Sequence, residues 1–508
     1  MDWFQQFTEK ISTSRWNILL VVVLYLVLAS TIALVQMPVE DDMIHVNVTN
    51  SLLTKGRLAC PVYLPLSYCH MKGCPSVSSP VWYKCDQYYY PTPPGAYIFL
   101  AGWMKVFGVG FFQYKFFNVL FGLIGLLCWW QFFKKIGVEN KRTLFVTVFL
   151  IATSFIYTRF TSCRSQEAMD VALLALALLS YVHWRTTSLS KAILFSQIFV
   201  ALSCTIHPNG LVAWAETTFL ILYLDRGRLK WKYLFYYFLP YLLFGTAILI
   251  FIFQDFEIFK LQFGTVIHVA ASESFWGRIR ATFSNEFFEA YGLTQASPSS
   301  ARVLSFILLL NIVSYFILFK NRKEGHLNRL ILILSAIHLF FFTFVFTHKW
   351  SMYVIYFVPL FSVATALAWQ EVSDKYPRFK PLISNAILIS ILLSIMVNVY
   401  RLKRNMYWNV YHPDLKAIKA ILSPEDIVCG PAELGFEIPL NQLSADVHLG
   451  YFNKLKPTVV VMDEFASIII NKIKKTHDAE VRAYMEEIFS HLELAYKGKY
   501  YNAYRYKK

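Results

Sequence analysis

Long apolar runs alternate with short basic loops along almost the whole chain, and this pattern constrains the fold more than any other feature. Each run holds roughly 17–22 residues, the length a helix needs to cross about 30 Å of hydrocarbon. The runs are continuous rather than alternating in polarity, so helices, and not a closed barrel, satisfy the backbone in lipid. Charged residues make up only 16% of the 508 residues, against roughly 25% in a soluble globular chain. The sequence therefore predicts an all-α polytopic integral membrane protein with about eleven transmembrane helices, at 16–37, 113–133, 143–158, 166–184, 192–207, 209–224, 233–253, 301–319, 330–347, 352–369 and 382–400. The first run is followed by Gln36-Met37-Pro38 and an acidic stretch rather than by a small-residue cleavage site, which marks it as a retained anchor.

Lysine and arginine in short loops set the orientation. The basic connections are Lys134 to Arg142, Arg226 to Lys232, Lys320 to Arg329 and Lys375 to Lys380. They alternate with the remaining loops only if the short apolar stretch 95–107, which starts at Pro93-Pro94-Gly95, lies in the interface instead of crossing. The N-terminus is then expected in the cytoplasm of a bacterial inner or plasma membrane, with 38–112, 254–300 and the tail from Arg401 outside. The net charge of +16 follows from this loop bias and from attraction to membrane lipids. Basic residues scattered over alternating loops form no single face for nucleic acid, which is excluded as a partner.

Four of the eight cysteines, Cys60, Cys69, Cys74 and Cys85, fall in the first outer loop. They are disulfide candidates in an oxidising compartment, in any of three pairings. Their spacing lacks the C-x-x-C pairs usual in zinc sites. The outer loop 38–112 is too long for a plain connector, and its residues 42–55 predict an amphipathic helix closed by Gly56. Beyond 400 the composition changes. Runs at 427–429, 458–462 and 500–506 suit strands, and 413–422 and 477–491 suit helices. Two domains are expected: a transmembrane domain over 1–400 and a small extracytoplasmic α/β domain over 401–508.

Four groups can carry chemistry. Glu40-Asp41-Asp42 stands where the first run leaves the bilayer; such a cluster serves as a general base, holds a divalent metal cation through Asp41 and Asp42, or caps a helix. Arg159 and Arg164 precede Glu167 and Asp170, whose three-residue spacing puts both acids on one helix face. His207-Pro208-Asn209-Gly210 reads as a tight hairpin. Lys349 and Tyr353 head a late span, where a lysine among aromatics anchors at the interface or binds a lipid phosphate. The expected topology puts all four on one outer face.

In this order the motifs resemble the GT-C class of membrane glycosyltransferases, in particular the branch with the protein O-mannosyltransferases and the lipid A aminoarabinose transferase. The resemblance covers residues 16–370. It runs through Asp41-Asp42 to Gly56, Pro93-Pro94-Gly95-Ala96-Tyr97, Glu167 within Arg164-Ser-Gln-Glu-Ala, the His207–Gly210 hairpin, and Lys349 with Tyr353. It implies sugar transfer from a polyprenyl-phosphate donor to an extracytoplasmic acceptor, whether lipid, glycan or protein. Asp41 would be the base of an inverting displacement, with Asp42 and Glu167 orienting the acceptor or a metal. Lys349, Arg159 and Arg164 would face the departing phosphate, with Tyr353 and His207 beside the substrate. No Gly-rich phosphate loop is present, so no nucleotide cofactor is expected. A flippase moving a lipid-linked sugar without bond cleavage is the alternative, but such transporters usually carry repeated halves and mid-membrane charges.

Overall fold

The computed structural model describes residues 8, 10–12, 17–60, 84–268, 274–293, 299–323, 325–346, 350–446, 448–451, 456–464, 467–468 and 479–507. In chain order the helices are α1 (Asn17–Val35), α2 (Glu40–Lys55), α3 (Gly95–Phe107), α4 (Phe111–Ile136), α5 (Lys141–Thr153), α6 (Phe155–Phe160), α7 (Ser165–Trp184), α8 (Leu189–Ile206), α9 (Gly210–Asp225), α10 (Lys232–Ile252), α11 (Phe256–His268), α12 (Phe275–Ala281), α13 (Ser305–Lys320), α14 (His326–Phe340), α15 (Val358–Lys375), α16 (Lys380–Arg404), α17 (His412–Ile421) and α18 (Ala479–Ser490). Five short strands close the chain: β1 (Val428–Cys429), β2 (Leu443–Ser444), β3 (Val459–Met462), β4 (Leu492–Lys497) and β5 (Asn502–Tyr506).

Helices occupy most of each expected span among the described residues, and the protein is a multi-pass integral membrane protein. Among the described residues, however, eight helices rather than eleven are long and apolar enough to cross a bilayer. The stretch 143–158 is broken at Ser154, whose backbone turns extended (ψ 123°) while its hydroxyl accepts the Tyr157 N–H, so α5 and α6 are separate short helices. The stretch 209–224 gives only the 16 residues of α9. The last of the three starts as a 3₁₀ turn at Ser351–Tyr356, and α15 after it ends on Glu371, Asp374 and Lys375. Gly95–Phe107 forms a 13-residue helix, about 20 Å long at 1.5 Å per residue and too short to span.

The chain divides into two compact units, 1–33 with 115–249 and 270–403, and 34–114 with 250–269 and 404–508. The first is a helical body whose core is built on Trp129, Tyr157, Tyr181 and Tyr356, all fully buried or nearly so. In the second, a single apolar core joins Met43, Ile44 and Val48 of α2 to Tyr89, Tyr97, Leu415, Val428 and Val459. The described residues between α1 and α4 thus fold together with the tail. Its sheet has the order β2-β1-β3-β5-β4, with β1 parallel to β2 and β3, and β5 antiparallel to β3 and β4.

Two glycines are fixed by their surroundings. Gly56 ends α2 in the left-handed region (φ 68°), its N–H on the Leu52 carbonyl, as the spacing predicts. Gly210 starts α9 so close to α8 that a Cβ would lie 2.4 Å from the Cys204 nitrogen. Cys60 and Cys85 lie side by side, the Cys60 N–H donating to the Cys85 carbonyl (2.6 Å). Each is packed into the apolar core beside Tyr89. Cys69 and Cys74 lie outside the described residues.

Gly210→Ala should therefore lower the melting point of the detergent-solubilised protein, at a cost of roughly 3 kcal/mol for a methyl forced into backbone. Gly102→Ala on the exposed face of α3, where a Cβ meets nothing within 4 Å, should leave it unchanged or raise it. Equal melting points for the two variants would contradict the close α8–α9 approach.

Candidate functional site

The acidic cluster belongs to the first turn of α2, where the positive end of the helix dipole favours carboxylates. Its members part company there. Asp42 is fully buried and turned back: its Oδ2 accepts the Val39 N–H (3.0 Å), and its own N–H donates to the Val39 carbonyl (3.0 Å). Glu40 and Asp41 remain exposed. Tyr97, at the start of α3, is buried, and its hydroxyl shares a 2.6 Å hydrogen bond with Thr92. Burial holds this phenol well above its ordinary range, and the Asp41 charge adds to the shift. Tyr97 therefore stays protonated near Asp41.

Beside this turn a cavity of about 330 Å³ opens within the second unit. Pro38, Val39 and Glu40 form one wall. The carboxyl ends of the three parallel strands form another, through Gly430, Asp446 and Asp463. The chain leaves β1 to one side to reach β2 and returns to the other side for β3, which creates the crevice where open α/β sheets bind ligands. Asp446 is committed to the backbone N–H groups of His448 (2.8 Å) and Gly450 (2.7 Å). Glu433 is buried, with Oε1 accepting from Tyr501 (2.9 Å) and its carbonyl from Tyr411 (2.7 Å). Burial pushes its carboxyl up to about 7; the Glu40 and Asp463 charges act the same way, against its own N–H and Tyr501. No basic side chain lines this cavity among the described residues. Its polar groups suit hydroxyl or amine donors and not anions.

In the first unit the organising group is Asp170, buried on α7. Its Oδ2 accepts from Tyr356 (2.7 Å) and its Oδ1 from Ser203 of α8. Glu167, one turn earlier, is also buried, and Arg164 precedes the helix as its N-cap residue. His207 accepts the Asn209 N–H at Nδ1 (3.1 Å), which closes the hairpin, and its ring lies 6.0 Å from that of Tyr353. Arg159 ends α6 with its guanidinium 4.8 Å from the Phe160 ring centroid and 5.9 Å from that of Phe155. Its Nε is buried and has no hydrogen-bond partner among the described residues. Arg401 lies over the same Phe155 ring at 4.9 Å.

Glu167, His207 and Tyr353 thus gather around the Asp170 junction, and Arg159 pairs with Arg401 across Phe155. Lys349 lies outside the described residues. Asp42 is turned onto the Val39 N–H, and no group of three or more His, Cys, Asp or Glu side chains placed to hold a metal ion assembles among the described residues. Sequence reasoning missed Arg401, Ser203 and Glu433, and did not pick out Tyr356. Tyr356 follows Tyr353 by one turn, and Ser203 precedes His207 by four residues, so helical spacing from the chosen residues would have found both.

No family model matches the chain, and no curated protein matches it. Solved structures do. The crystal structure of ArnT from Cupriavidus metallidurans bound to undecaprenyl phosphate is 11% identical, with a TM-score of 0.56 over 97% of this chain and 98% of that one; its apo form gives 0.55 over 96% and 97%. The Archaeoglobus fulgidus oligosaccharyltransferase is 13% identical, with 0.52 over 89% and 70%.

The raised Glu433 carboxyl makes a pH prediction. The folded state keeps this proton between about pH 4.5 and 7 while the unfolded chain releases it, so stability falls as pH rises through that window. Its loss should be on the order of 3 kcal/mol, and Glu433→Gln should remove that part of the slope. Parallel pH–melting curves for wild type and variant would show Glu433 is not the group responsible. The fold that these helices and this sheet build is that of ArnT and of the archaeal oligosaccharyltransferase.

Proposed function

We propose that this protein transfers a sugar from a polyprenyl-phosphate-linked donor to a hydroxyl-bearing acceptor outside the cytoplasm, with inversion at the anomeric carbon. The observation that carries the reading is the Arg159–Phe155–Arg401 group, in which a buried guanidinium N–H has no hydrogen-bond partner among the described residues. A buried unpaired donor of this kind is costly unless an anion takes it. ArnT, which has the same fold, binds undecaprenyl phosphate, and a lipid phosphate is the anion this reading supplies.

In the proposed reaction the exposed Asp41 carboxylate takes the proton of the acceptor hydroxyl. The acceptor oxygen bonds to the anomeric carbon as the bond from that carbon to the phosphate oxygen breaks, and the electron pair leaves with the polyprenyl phosphate. General-base help is typically worth about 10²–10⁴-fold. Arg159, Arg401 and Lys349 stabilise the charge that builds on the departing phosphate, with Arg164 in the same role and Tyr353 and His207 binding the substrate beside it. Asp42 acts on geometry, holding the turn that presents Asp41, and Glu167 orients the acceptor. No step is routed through a metal. The cavity beside Glu40, rich in acceptors and without a cation among the described residues, supports an acceptor that brings neutral hydroxyls or amines.

Membranes or nanodiscs supplied with a polyprenyl-phosphate sugar test these roles separately. Asp41→Asn should lower transfer at least 100-fold while donor binding persists, as expected for loss of a base. Arg159→Gln should weaken binding of polyprenyl phosphate by about tenfold, the loss expected for one charge-assisted hydrogen bond. Wild-type transfer by Asp41→Asn at normal expression would remove Asp41 from the mechanism.

A further inference from the structure

The first unit has a second feature that sugar transfer does not use. A groove of about 910 Å³ runs between α9 and α14, closed at one end by the last turn of α13. Trp214, Phe219 and Leu222 line it from α9, and Leu332, Ile337 and Phe340 from α14, at the spacings that put residues on one helix face. Thr218, the polar side chain along its length, is already bonded to Tyr237 (2.6 Å). The groove ends between two guanidinium groups, Arg322 and Arg329. Arg322 donates to the Phe319 carbonyl (2.7 Å) and lies 3.9 Å from the Phe319 ring centroid. Neither arginine has a carboxylate partner among the described residues. The acid at the end of α9, Asp225, is already paired with Arg185 (2.7 Å) and Arg228 (2.8 Å).

An apolar channel with a cationic end has the chemistry of an amphiphile with an anionic head. Its length fits the same ligand. From Arg329 to Phe341 the helix rises about 18 Å, against about 15 Å for half the hydrocarbon core. The cationic end lies at the C-terminal end of α9, whereas the His207 hairpin precedes its N-terminus, so this groove is not the place of the sugar donor. A free phosphate would leave the apolar walls uncovered, and an uncharged lipid would leave both guanidinium groups without an anion.

We infer that this groove seats a phosphate-headed glycerolipid from the leaflet next to the basic loops, its acyl chain along α9 and α14 and its phosphate on Arg322 and Arg329. The full chain in mild detergent can be titrated with phosphatidylglycerol, with diacylglycerol and with glycerol phosphate, binding being read by native mass spectrometry and by the rise in melting point. Phosphatidylglycerol should bind and stabilise. Diacylglycerol and glycerol phosphate should each bind at least about tenfold more weakly, since each lacks half of the contact. Arg322→Ala with Arg329→Ala should lose phosphatidylglycerol binding by a similar factor, the paired Lys substitutions should keep most of it, and Ala336→Trp should abolish it by filling the groove with the arginines intact. Equal binding of diacylglycerol, full competition by glycerol phosphate, or unchanged binding in both the Ala pair and Ala336→Trp would overturn the assignment.

Discussion

The Asp170 carboxylate fixes the geometry of the helical body. A charged or polar group buried among membrane helices is costly unless its bonds are made, and here Ser203 of α8 and Tyr356 make them. Three segments far apart in sequence are therefore held at one point. The residues that the sequence marks for chemistry lie about one turn from that point along each segment: Glu167 before Asp170, His207 after Ser203, Tyr353 before Tyr356. A polar tie inside an apolar body serves here as a register pin, because shifting any of the three segments by one residue breaks a buried bond.

The second unit solves a different problem. Its acidic turn would be an ordinary solvated helix start if α2 stood alone. It is held because α2 shares one apolar core with Tyr89, Tyr97 and the C-terminal sheet. Asp42 gives up its carboxylate to the Val39 N–H, and that capping leaves Asp41 exposed on a fixed turn. The parallel strands end on the same side as this turn, so the sheet contributes Asp446, Asp463 and the protonation-sensitive Glu433 to the cavity at Glu40.

Much of this was legible in the sequence because the relevant signals are local. Helix α2 and its Gly56 stop, the short helix at Gly95–Phe107, the tail helices and the strands near 428, 459 and 502 follow from periodicity, capping and β-branched runs. The span count was less legible. The serine at 154 breaks a continuous apolar run, and nothing in composition distinguishes a mid-span serine that bonds its own turn from one that interrupts the helix. Long-range pairings were hidden for the same reason. That Arg401 would share the Phe155 ring with Arg159, that Tyr501 and Tyr411 would both bond Glu433, and that Asp42 would turn back onto the Val39 N–H are properties of packing, not of spacing.

The proposed reaction breaks the bond from the sugar to the lipid phosphate and forms one from the anomeric carbon to the acceptor oxygen, with inversion. The most direct measurement follows a polyprenyl-phosphate sugar of known anomeric configuration with the purified protein in nanodiscs, using mass spectrometry for the lipid and NMR for the product. Acceptor-dependent release of polyprenyl phosphate, with the opposite anomeric configuration in the product, is the expected result. A donor that only changes leaflet in vesicles, with its sugar–phosphate bond intact in the presence of acceptor, would contradict it.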